Sequence, residues 1–155
     1  MQKLVMFFVV LTIFWSSTSY ADNDISHGIG TGALTSGLGV NAALRSDNHM
    51  GYIAAGCLGI GKSNEQGWIL PCGIGAGWIQ TDLLSNANNH HGIGVYAGPV
   101  AKNSHNKARY GVGVTYVYFA QGINAKGWNF GVTPATGQEN GKAKGSILIN
   151  VGYQF

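Results

Sequence analysis

The chain has 155 residues, of which 10% are Asp, Glu, Lys or Arg, and a formal net charge of +3. Soluble domains usually hold roughly 25% charged residues, so this composition argues against an ordinary water-facing domain, and nothing in it points to a nucleic-acid partner. Its 25 glycines alternate with Val, Ile, Tyr and Trp, which excludes a disordered glycine-rich linker.

The opening residues, "MQK", then the apolar run "LVMFFVVLTIFW", then "SSTSYA", form the pattern of a secretory signal peptide over residues 1–21. Residues 22–155 are expected to form one domain. No later apolar run approaches the ~20 residues that a spanning helix needs. A chain low in charge and without such helices fits one membrane solution, a closed barrel.

Alternating segments bounded by turn residues predict eight strands, at 26–34, 36–46, 49–61, 66–81, 89–101, 107–120, 125–134 and 145–155. The connections between them read "SDN", "KSNE", "LLSNANN", "KNSHN", "QGINAK" and "ATGQENGKAK", with a tight turn near Thr35. In "ARYGVGVTYVYF", Tyr110, Val112, Val114, Tyr116 and Tyr118 share one face, and Gly111, Gly113 and Thr115 the other. The last strand likewise sets Ile147, Ile149, Val151, Tyr153 and Phe155 against Ser146, Leu148, Asn150, Gly152 and Gln154.

A soluble barrel with bulk inside would show water a face of glycine and small residues, without the charges that keep such barrels dispersed. The reverse arrangement fits better. The expected fold is therefore all-β: an antiparallel up-and-down transmembrane barrel of eight strands, bulk facing lipid and small or polar residues inside.

Within "GWILPCGIGAGWIQTD", Trp68 and Trp78 would then mark two aromatic girdles, joined by Tyr110, Tyr118, Trp128 and Tyr153. That reading takes the strand as continuous through Pro71; a bulge there would put the two tryptophans on opposite faces.

The chain ends "SILINVGYQF". This alternation with an aromatic last residue resembles the terminal strand of bacterial outer-membrane β-barrel proteins. With the signal-like start and the strand count, the chain is similar to their small eight-stranded members. The resemblance implies an outer-membrane location in a Gram-negative bacterium, and Phe155, Tyr153, Val151 and Ile149 as the signal read by the assembly machinery. Some proteins of that architecture modify lipid A. Their chemistry would have to come from Ser104, His105 and Glu139, but here Ser precedes His in a loop, so no enzyme is expected.

With both termini in the periplasm, Lys62, Lys102, Lys107, Lys142 and Lys144 fall on the outer side, opposed by Glu65 and Glu139. Such a rim would meet the phosphates of lipopolysaccharide favourably. His27, His49, His90 and His91 fall at the opposite rim, with no metal-ligand spacing, so neither metal nor cofactor is expected. Cys57 and Cys72 lie on neighbouring strands at similar distances from their turn. They are a candidate disulfide, or two independent small residues.

The expected role is structural: an outer-membrane barrel, acting as a monomer, that stabilises the envelope or presents short loops. The alternative is a narrow pore or ligand-binding barrel, since interior glycines could leave a thin aqueous thread. Arg45 and Arg109 are the only charges expected within strands.

Overall fold

The computed structural model describes residues 24–59, 61–63, 67–84, 89–103 and 107–155, the side chains of 61–63 and 67–69 excepted. Its strands are β1 (Asp24–Thr31), β2 (Leu38–Arg45), β3 (His49–Cys57), β4 (Gly61–Ser63), β5 (Gly67–Ile69), β6 (Cys72–Gln80), β7 (His91–Lys102), β8 (Ala108–Phe119), β9 (Gly127–Glu139) and β10 (Lys142–Gln154). Eight of them close an antiparallel barrel in the order β1-β10-β9-β8-β7-β6-β3-β2, and among the described residues β4 and β5 form a separate two-stranded sheet. Asp24 and Gln154 lie at one end, here the terminal end; the β7–β8 and β9–β10 hairpins turn at the far end.

The predicted alternation sets the two faces of this wall. Ile74, Val95, Val112, Val114, Ile147 and Ile149 point outward and are exposed, while Ser26, Asn41, Thr115, Thr133 and Asn150 are buried inside. The sheet closes with bulk on its outer surface.

Three expectations need correction. First, the predicted strands 49–61 and 66–81 are each divided. Cys57 pairs with Cys72, and Leu58 N–H still donates to the Pro71 carbonyl, but beyond them Gly61 pairs with Ile69 where unbroken register would bring Trp68. Pro71 cannot donate to a ladder, and Gly59 stands at φ 91°, the geometry of a bulge. β4 and β5 therefore leave the wall as a short arm.

Second, the expected loop 135–144 is mostly strand. Asn140 (φ 52°) and Gly141 (φ 74°) make a two-residue turn with both residues left-handed, and Lys142 pairs with Glu139 directly. Glu139, Lys142 and Lys144 are thus strand residues, as are Asp24 and Lys102, so Arg45 and Arg109 are not the only charges in strands.

Third, the connection near Thr35 is not a surface turn. Gly32 and Gly37, both at φ 103°, turn the chain into the barrel, and Ala33, Leu34, Thr35 and Ser36 are buried there as a short 3-10 turn. Ala33 N–H donates to Asn150 Oδ1, and Asn41 Nδ2 donates to the Leu34 carbonyl. Asn150 Nδ2 in turn donates to Thr133 Oγ1, which donates to Thr115 Oγ1.

Among the described residues, the interior glycines make room for large neighbours. A Cβ on Gly77 would stand 2.5 Å from the Tyr52 ring, one on Gly75 would stand 2.8 Å from Tyr96, and one on Gly92 2.5 Å from Ile79. Tyr52, Tyr96, Met50, Ile79, Val117 and Phe119 fill that space together with Ala33 and Leu34. The core of this barrel is the barrel's inside.

Candidate functional surface

The outward wall ends, at the terminal end, in a collar of rings. His27 stacks on Phe155 with centroids 5.3 Å apart, and Tyr153 meets Phe155 edge-on at 4.9 Å. Trp128 meets Tyr153 edge-on at 5.6 Å. His91 lies 5.1 Å from Tyr118 and its Nδ1 is 2.8 Å from the Tyr116 hydroxyl. His90 stacks on Tyr118, and His49 stacks on Trp78 at 4.8 Å. Every barrel strand except β2 contributes to the collar, His90 standing just before β7.

Of the predicted girdle residues, Trp78, Tyr118, Trp128 and Tyr153 come together in this collar. Tyr110 does not: it sits toward the far end, where its hydroxyl accepts the Ile74 N–H at 3.3 Å. That contact bridges a stretch where β6 and β7 are unpaired, because their ladder stops at Ala76 and Ala97. Trp68 lies on β5 in the arm, beyond the barrel wall. The collar thus holds four of the six predicted girdle residues.

Sequence reading placed the histidines at this rim but missed their partners. The signal lay in parity and pairing: Gly51 faces Trp78 across β3 and β6, so the indole covers the glycine, 3.1 Å from where a Cβ would stand, and reaches His49. Among the described residues no group of three His, Cys, Asp or Glu could hold a metal ion.

The terminal strand is tied down at its last residue. Phe155 N–H donates to the His27 carbonyl, and Arg45 donates to the carbonyls of Phe155 (3.2 Å) and Ala125 (2.7 Å). Ile149, Val151 and Tyr153 point outward along β10 above it. Gln154 is buried, and its Nε2 donates to Asn41 Oδ1 and Ser26 Oγ.

Lys102, Lys107, Lys142 and Lys144 lie at the far end, where Glu139 is the one acid among the described residues. Arg109, only 7% exposed, reaches the Glu139 carboxylate at 3.3 Å, and Lys144 reaches the same oxygen at 2.6 Å. Glu139 is thus held as a counter-ion between two cations. Ser104 and His105 lie outside the described residues. Lys62 is placed on β4 in the arm, its side chain outside the description. Cys57 and Cys72, opposite each other on β3 and β6, are joined as a disulfide at the base of that arm.

No family model, no curated protein and no solved structure matches this chain.

Proposed function

We propose that this chain is a non-catalytic integral barrel of the bacterial outer membrane, stabilising the envelope or presenting its short far-end hairpins. The observation that carries this reading is the inverted wall. Ile74, Val95, Val112, Val114, Ile147 and Ile149 form a continuous outward apolar surface, whereas soluble monomers rarely expose apolar patches beyond a few hundred Å². From Tyr110 to Tyr118 the outward face of β8 climbs about 20 Å at ~3.3 Å per residue and a tilt near 40°, close to the height of a lipid-facing band.

The collar supports the terminal end as one membrane–water interface, where amphipathic rings settle. The lysines at the far end support contact with lipopolysaccharide phosphates. The signal-like residues 1–21 and the alternating strand ending at Phe155 support export and handling by the outer-membrane assembly machinery. The filled interior and the inserted Ala33–Ser36 turn favour a barrel that does not conduct over a narrow pore.

Fractionation tests the proposal. The full-length gene product, expressed in a Gram-negative host, should co-sediment with outer membranes and migrate faster unheated than boiled on a denaturing gel. Recovery as a soluble periplasmic protein would overturn it.

A further inference from the structure

The barrel is incompletely laced along β10. That strand pairs with β9 from Lys142 to Gln154, but with β1 only from Val151 to Gln154. Beyond Thr31 the chain turns inward at Gly32, and the inserted turn meets β10 at Asn150. From Lys142 to Leu148 the side of β10 that faces away from β9 has no strand beside it among the described residues.

Which backbone groups are left over follows from alternation. Phe155 N–H donates to His27, so odd-numbered residues of β10 aim their N–H and C=O toward the β1 side. Ala143, Gly145 and Ile147 therefore present their amides and carbonyls to an open edge. Ala143 and Gly145 are exposed, Ile147 is 69% exposed, and a Cβ on Gly145 would meet nothing closer than 4.0 Å. Such a row of unpaired groups is a template for another strand.

We propose that this edge docks an extended acidic peptide segment of another protein, added antiparallel to β10 in the position that β1 vacates. The backbone of Ala143, Gly145 and Ile147 supplies the hydrogen bonds, and the alternate side chains set the selectivity. On the inward face the incoming strand runs beside Lys142 and Lys144, within a rim that also holds Lys102, Lys107 and Arg109 against one described acid, Glu139. Edge lysines deter neutral strands, and the same charges favour an acidic one. On the outward face Gly145 leaves space for a large residue opposite, the arrangement in which an aromatic ring covers an edge glycine. Trp78 does this to Gly51 elsewhere in the same wall. A second copy is disfavoured, because the lysines of the two edges would meet. The proposal itself holds whether or not the outer wall faces lipid.

The test uses the full chain refolded in neutral detergent and the capped peptide Glu-Val-Glu-Phe-Glu-Val-Glu, with its Lys-for-Glu counterpart as control. In the free chain the amides of Ala143, Gly145 and Ile147 should exchange rapidly. Saturating acidic peptide should slow their exchange at least tenfold and leave Asn129 and Thr133 unchanged; the lysine peptide should do neither. Gly145→Pro, tolerated on an open edge, should abolish the protection, and Lys142→Glu should weaken binding at least fivefold. Amides already slow in the free chain, equal protection by both peptides, no protection by the acidic one, or undiminished binding to either variant would each overturn the proposal. Protection that grows with protein concentration alone would assign the edge to a second copy and overturn it equally.

Discussion

Tyr52 and Gly77 are direct partners across β3 and β6, and the phenol occupies the space where a side chain on Gly77 would be. The pair shows how this barrel is filled: a wall position is emptied so that its neighbour's ring can lie flat inside. Gly77→Ala should therefore destabilise the barrel by about 1–3 kcal/mol through overpacking. The same change in a Tyr52→Ala background should cost much less. Urea titrations of the four chains, read as a double-mutant cycle, check this; additive losses would mean that the glycine has another purpose.

The inserted turn makes a second prediction. Asn150 joins Ala33 N–H to Thr133, so Asn150→Ala leaves a buried backbone donor without a partner. A loss of about 1–3 kcal/mol is expected. Gln138→Ala, on the exposed outer face of β9, should cost no more than about 0.5 kcal/mol. Comparable losses from the two changes would show that the turn is not anchored through Asn150.

Eight strands and their two faces were legible because period-2 alternation runs through most of each barrel strand, although β7 slips register between Pro99 and Ala101. What escaped has identifiable causes. The Ala33–Ser36 turn carries no periodicity and depends on two glycines adopting left-handed φ, which "TGALTSG" does not announce. The division at Leu70–Pro71 was visible as a single proline, but whether a proline bulges or only ends a ladder is settled by its neighbours. The Asn140–Gly141 hairpin was legible and under-weighted: Asn-Gly between alternating residues is a strong turn signal, yet the flanking Gln138, Glu139, Lys142 and Lys144 read as loop. The histidine–aromatic pairs needed strand register, which sequence alone left open.

The disulfide gives a third prediction. Cys57 and Cys72 are 15 residues apart, and closing a loop of that size stabilises by about 3 kcal/mol in the chain-entropy treatment. Replacing both with serine should lower the urea midpoint accordingly, and reducing agent should lower that of the native chain but not of the variant. Identical midpoints in all four conditions would mean that the bond contributes nothing to the fold.

The terminal strand gives a fourth. Phe155 is held by His27 and Arg45 and packs on Tyr153, so Phe155→Asp should sharply reduce the folded, membrane-integrated fraction. The control must be an exposed site such as Gln138→Ala, since Gln154 is buried and hydrogen-bonded. Equal membrane yields would show that the end of β10 is an ordinary strand end.

Nitroxide collision measurements show whether the bulky wall faces lipid. A spin label is placed in turn at Val95, Val112 and Val114 of chain refolded into phospholipid vesicles, with the native disulfide left bonded. A lipid-facing wall gives frequent collisions with apolar oxygen and few with a water-soluble nickel chelate at all three sites, and the reverse at Lys142. Ready access of the nickel chelate to Val95, Val112 and Val114 would contradict it.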